Sequence, residues 1–320
     1  MGLLGAESLR SLAAELGAPL LLLDEQQGLA DETLRVQVAR LLRSLTASSV
    51  ARSLRAAEFV AEHDAFVLDL FSVHSAISVR PWCPRRTPWI TLCSSARHDF
   101  RAVPGEFGFL AALYHELGFW SSPVHAPLRP EATRRSLPPL VEEPLRGPPE
   151  NLLVGYFNST AAADAAYELL RRRGDRAVLF ASACPRRDGG AELRAPDGAA
   201  FQEARGRSRG FLGSAGFETV AENLLLGLPM VLVPLNVEQT LNAAEYSRFF
   251  SGIRTSNALT SEDLAWLDGF RASAAADAYE KQCAAFRTWH SRGPQLLLAL
   301  VRSATSLSSA AQRLSRAGPR

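Results

Sequence analysis

Residues 210–246 read GFLGSAGFETVAENLLLGLPMVLVPLNVEQTLNAAEY, and this stretch decides the fold. It parses as a strand, a small-residue turn, an amphipathic helix, a second strand, a polar loop and a second helix. Phe211 and Leu212 lead into Gly213–Gly216, where small side chains let the backbone approach a ligand closely. Phe217, Val220, Ala221, Leu224 and Leu225 then recur at helical spacing, Gly227 closes that helix, and Pro229–Pro234 is a short apolar run suited to a buried parallel strand. A turn that opens a helix presents unpaired N–H groups and the positive end of the helix dipole, which suits a phosphate. Glu222 lies about 9 Å along the axis from that end at 1.5 Å per residue. Because helical side chains lean toward the N-terminus, its carboxylate is within reach of a ribose carried by such a phosphate.

The order S-A-G-F-E-T-x-x-E, G-x-P, strand, x-P and E-Q-x-x-N-A resembles the donor-binding half of the two-domain GT-B glycosyltransferases. Within these it is similar to the family of the N-acetylglucosaminyltransferase that forms lipid II and to related UDP-sugar transferases. The resemblance implies that Ser214, Ala215 and Gly216 lie under a nucleotide diphosphate, with Phe217 and Thr219 in the same site. It further implies that Glu222 holds the ribose hydroxyls, that Glu238 and Gln239 bind sugar hydroxyls, and that Asn242 opens the next helix. On periodicity alone, Glu222 shares the polar side of its helix with Glu218 and Thr219, and a solvated face is the plain alternative. The G-x-x-G-x-x-G at Gly210, Gly213 and Gly216 adds little, because such spacing recurs by chance in glycine-rich chains.

Working outward, the chain alternates strands and helices on both sides of a proline-rich stretch. Expected strands are Pro19–Asp24, Ala65–Leu70 and Pro88–Cys93, with helices at Glu7–Leu16, Glu32–Phe59, Ser75–Val79 and Phe107–Leu117. A second series runs through Asn151–Phe157 (strand), Ala161–Arg172 (helix), Ala177–Ser182 (strand) and Phe201–Arg207 (helix). Helices at Ser261–Arg271, Asp277–Trp289 and Pro294–Arg302 follow the 210–246 unit. Alternation of this kind predicts an α/β protein whose parallel sheets are covered on both faces. The expected division is an N-terminal Rossmann-like acceptor-side domain over 1–126, a linker over 127–150, a nucleotide-sugar-binding domain over 151–302 and a flexible tail over 303–320. An ordered wrap along a domain surface is an equal alternative for the Pro-rich stretch. The two Rossmann-like domains are expected to face each other across a cleft.

After the first strand of the second domain, Asn158 and Ser159 are candidates to approach the nucleotide-sugar, although Ser159 or Thr160 also suits a helix cap. Sugar transfer needs a base for the acceptor hydroxyl. The resembled family carries it on a glycine-rich loop after the first N-terminal strand, and no such loop is visible near Met1. The N-terminal domain is therefore expected to lack its first strand and Gly-rich loop, with Met1–Gly5 running straight into a helix. Of the remaining residues, Asp69 at a strand end and His98 after the next strand are the candidate bases.

Composition narrows the alternatives. The 320 residues suffice for two domains, and the net charge of +2 argues against a nucleic-acid binder. Cys83, Cys93, Cys184 and Cys283 have no metal-finger spacing and read as inert thiols of a reducing compartment. No stretch approaches the ~20 apolar residues of a membrane span. The expected location is the cytoplasm, with the inner face of a membrane as an alternative through peripheral contact.

The resemblance implies an enzyme, a glycosyltransferase of hexosyltransferase type. It would use a UDP-sugar as co-substrate, an unidentified acceptor, no metal and no other cofactor, and transfer with inversion. Two alternatives stay open: a UDP-sugar 2-epimerase of the same fold, and a non-catalytic nucleotide-sugar-binding subunit. A partner or an additional N-terminal segment completing the site is part of the same expectation.

Overall fold

The computed structural model describes the backbone of five strands before residue 126 and, in detail, residues 136–139, 141–181, 186–235, 237–300 and 302–303. The five are β1 (Gly2–Gly5), β2 (Leu20–Leu22), β3 (Phe66–Asp69), β4 (Trp89–Cys93) and β5 (Val124–His125). They form one parallel sheet in the order β2-β1-β3-β4-β5. The helices expected before residue 126, His98 and the tail beyond 303 lie outside the described residues.

The strand expected to be missing near the start is present. Leu3 pairs with both Leu20 and Val67, so Gly2–Gly5 sits inside the sheet with a neighbour on each side. Two glycines flanking only two leucines give no strand signature by themselves; the pairing with apolar strands on either side supplies what the local sequence lacks. Asp69 closes β3, as the sequence suggests, opposite Leu92 of β4.

The second unit contains β6 (Leu153–Phe157), α1 (Thr160–Arg173), β7 (Ala177–Ala181), β8 (Ala191–Arg194) and α2 (Gly198–Arg207). It continues with β9 (Gly210–Gly213), α3 (Phe217–Leu226), β10 (Met230–Leu232), α4 (Val237–Phe249), β11 (Ile253–Thr255), α5 (Ser261–Phe270) and α6 (Ala274–His290). Its six strands are all parallel, in the order β11-β10-β9-β6-β7-β8. Alternation along each strand sends side chains to opposite faces. Val154, Val178, Phe180, Phe211, Met230 and Leu232 pack with α3, α4 and α6, whereas Leu153, Leu179, Leu193, Leu212 and Val231 pack with α1 and α5. Both faces are covered, as an all-parallel sheet requires.

Two short edge strands, β8 and β11, are not foreseen from sequence. Ala-Glu-Leu-Arg and Ile-Arg-Thr carry charge and span three or four residues, because an edge strand needs only one face buried. Residue-level capping moves other boundaries. Asp197 accepts from the Ala200 N–H at 3.1 Å and starts α2 three residues earlier than the apolar pattern indicates. Likewise α4 begins at Val237, so Asn242 lies within that helix rather than at its opening.

The proline-rich segment over 141–150 lies against the second unit. The Val141 carbonyl lies 3.0 Å from His290 Nε2, Arg146 donates to the Leu225 carbonyl at 2.6 Å, and Gly147 N–H donates to the Gly206 carbonyl at 3.0 Å. Among the described residues no helix is long and apolar enough to cross a membrane. Cys283 is buried and its thiol is pushed up to about 12 by that burial, an inert core group.

The tightest backbone approach lies where β9 ends. Gly213 has φ +151°, and a Cβ there would fall 2.0 Å from the Tyr156 carbonyl oxygen. Gly213→Ala is expected to lower the unfolding free energy by at least about 2 kcal/mol. A urea titration showing an unchanged midpoint would contradict the close packing of β9 on β6.

Candidate functional site

The sheet order reverses between β6 and β9: from β6 the chain proceeds to β7 and β8 on one side, then returns to place β9, β10 and β11 on the other. In open α/β sheets such a reversal leaves a crevice beyond the carboxyl ends of the two central strands. The loops that leave β6 and β9 are joined there. Ser214 N–H donates to the Tyr156 carbonyl at 2.9 Å, and Asn158 N–H donates to Ser214 Oγ at 3.1 Å.

A pocket of about 390 Å³ opens at this point. Asn158 from the β6 loop and Ser214, Gly216, Phe217, Glu218 and Thr219 from the β9 loop and α3 form one wall. Tyr156, Phe180, Pro196, Asp197, Gly198 and Phe201 form the other. Gly216 is the N-cap of α3 and supplies no side-chain cap, and a Cβ at Gly216 would meet nothing within 4 Å. The amino end of a ten-residue helix therefore borders the pocket without a capping side chain.

The charged side chains that line the pocket, Asp197 and Glu218, are both acidic. An anion entering it is therefore held by N–H groups and the helix dipole, not by a lining cation among the described residues. The opposite wall is aromatic: the Phe201 ring lies 5.8 Å from Tyr156 and 5.4 Å from Phe180, edge-on to the latter. Burial pushes the Tyr156 hydroxyl up, so it remains a protonated donor at neutral pH.

The residues expected from sequence separate into three groups. Asn158, Ser214, Gly216, Phe217 and Thr219 come together at the pocket, with Ala215 buried in the turn between them. Ser159, Gln239 and Asn242 are buried and brace the site: Ser159 caps α1 by accepting from the Ala162 N–H at 3.4 Å. Gln239 Oε1 accepts from the Leu235 N–H at 2.9 Å, and the Asn242 amide donates to the Ala215 carbonyl at 3.4 Å, tying α4 to the turn. The side chains of Asp69 and Glu238 lie outside the described residues.

Glu222 forms the third group alone. It is neither on a solvated face nor directly on the pocket wall: its side chain is 16% exposed and its Oε2 pairs with Arg205 of α2, which is 0% exposed. Arg205 also donates to the Gln202 side chain, and its guanidinium lies over the Phe201 ring at 4.9 Å. The sequence reading missed Arg205, because an arginine in a chain rich in arginine reads as surface. Phe201 and Arg205 share a helix face at i, i+4, which was the available signal.

Residues 205–288 match the family model described as UDP-glucoronosyl and UDP-glucosyl transferase. No curated protein matches the chain in sequence. Among solved structures, the glycotransferase of kitacinnamycin aligns with TM-score 0.61 and 15% identity, covering 94% of this chain and 90% of the other. The calicheamicin glycosyltransferase CalG4 gives 0.60 at 15% identity, covering 95% and 90%. Arabidopsis thaliana UGT89C1 complexed with UDP-L-rhamnose gives 0.61 at 14%, covering 95% and 91%. The chain has the GT-B fold of these glycosyltransferases. The matched segment begins at Arg205 and contains the turn, Glu222 and the α4 residues described above.

Removing one partner of a buried ion pair leaves the other charge uncompensated. Glu222→Ala is expected to cost about 3 kcal/mol of stability, and the paired change Arg205→Met with Glu222→Leu to cost less. Equal stability of Glu222→Ala and the unaltered protein in urea unfolding would show that the pair does not form.

Proposed function

We propose that this GT-B chain transfers a sugar from a UDP-sugar donor to an acceptor hydroxyl, with inversion and without a metal. The observation that carries the reading is the open amino end of α3 at the sheet reversal, with Glu222 one turn beyond Thr219. The diphosphate is assigned to the Ser214–Gly216 turn, through the N–H groups of Ala215 and Gly216 with the α3 dipole, the nucleoside to the wall of Tyr156, Phe180 and Phe201, and the ribose hydroxyls to Glu222. The choice of a UDP-type donor is supported by the neighbouring structures: one is of LpCGTa in complex with UDP, another of Arabidopsis thaliana UGT89C1 with UDP-L-rhamnose. Gln239 and Glu238 are assigned to the transferred sugar, and residues 151–302 to the donor domain.

In the proposed step the acceptor oxygen attacks the anomeric carbon as its proton passes to a base, Asp69 or His98. The bond from that carbon to the diphosphate oxygen breaks, and UDP departs with the electron pair. Amides and a helix dipole already aimed at the diphosphate stabilise the developing charge without reorganising, which is where electrostatic catalysis gains most. Glu218 and Asp197 beside them make that amide contribution indispensable in a pocket lined by two carboxylates.

UDP at a hundredfold excess over its Kd is expected to stabilise the protein by about 2.7 kcal/mol, read as a rise in Tm. EDTA should change neither that shift nor turnover of a UDP-sugar with an acceptor panel. In the same assay, Asp69→Asn or His98→Ala should reduce turnover by about 10²–10⁴ at whichever residue is the base. A strict need for magnesium or manganese would overturn the metal-free mechanism, and no Tm shift with any UDP compound would overturn the donor.

A further inference from the structure

Arg205 is the bulkiest of the fully buried side chains among the described residues. Nothing in strand pairing or core packing demands a guanidinium there, and a hydrophobic pair of similar volume often serves a fold as well as a buried ion pair. Two of its three side-chain contacts, Glu222 and Phe201, belong to the proposed nucleotide site. Glu222 Oε2 accepts one N–H, Gln202 Oε1 accepts another, and the Phe201 ring lies 4.9 Å beneath the guanidinium carbon while also lining the pocket. Arg205 Nε has no hydrogen-bond partner, so the guanidinium is anchored through its two terminal nitrogens alone. Only one carboxylate oxygen of Glu222 is engaged by Arg205; a carboxylate has lone pairs on both oxygens for further donors.

We propose that Arg205 is a positioning residue for nucleoside recognition. By fixing Oε2 of Glu222 it leaves Oε1 to accept from the ribose hydroxyls, and by lying over Phe201 it holds that ring against the nucleobase side of the pocket. The inference rests on the nucleotide reading above. Its distinct content is that ribose selectivity resides in an α2–α3 pair, with the arginine never touching the ligand. A flexible glutamate would pay rotamer entropy on each binding event, and a clamped one has already paid it.

The test compares UDP with 2′-deoxy-UDP by titration calorimetry on the full chain. The unaltered protein is expected to prefer UDP by about tenfold to a hundredfold, the range of a charge-assisted hydrogen bond. Arg205→Gln should weaken UDP and leave 2′-deoxy-UDP within about twofold, collapsing the ratio; Arg205→Lys, which keeps the charge but not the fork, should restore part of it. Mere loosening of the fold would weaken both nucleotides and preserve the ratio, which would overturn the proposal. Gln202→Met, at a half-buried position, loosens the guanidinium on its other side and should lower the ratio by about threefold. If Arg205→Gln does not fold, an unchanged ratio in Gln202→Met overturns the proposal by itself. An unaltered protein that binds neither nucleotide refutes the donor reading and the positioning role with it. One that binds UDP with a ratio insensitive to all three substitutions refutes the positioning role alone.

Discussion

The ends of β6 and β9 are bound to each other, and the site depends on that contact. Ser214 N–H to the Tyr156 carbonyl, Asn158 N–H to Ser214 Oγ and the absence of a side chain at Gly213 bring two loops together where the strand order reverses. Backbone polar groups at strand ends must find partners. Here they find each other, which turns the β9 loop so that α3 starts at the pocket without a capping side chain. Asn242, reaching from α4 to the Ala215 carbonyl, secures the same turn from the other side. The pocket follows from satisfied backbone hydrogen bonding before any ligand is considered.

A second constraint is electrostatic. The wall facing the turn contains aromatic rings and the adjacent helices contain a buried charge pair, while the charged groups lining the pocket are acidic. A buried guanidinium is a poor source of stability. Its place beside Phe201 and Glu222 accords with the proposal that the pair supplies orientation rather than stability.

Much of this was legible in the sequence, and the failures have physical causes. The 210–246 stretch carries its own start and stop signals, so the turn, the buried face of α3 and the Gly227 cap all stand where expected. The alternation of apolar runs gave the parallel sheets. Gly2–Gly5 was unreadable because its strand character comes from neighbours far along the chain. Edge strands β8 and β11 were hidden by their charges, and the start of α4 by the polar residues Glu238 and Gln239 that read as loop. The fate of Glu222 was the largest gap: helix periodicity offers only buried or solvated, and its partner Arg205 comes from a different helix seventeen positions away. Pairing between elements is a tertiary fact that local pattern does not encode.

The central claim is that a nucleotide seats against the joined β6 and β9 loops at the α3 amino end. Amide hydrogen exchange of the full chain with and without UDP addresses it most directly. The account expects protection confined to peptides covering 156–160, 196–205 and 214–222, strongest at the turn that opens α3. Binding of UDP with protection elsewhere and none at 214–219 would contradict it.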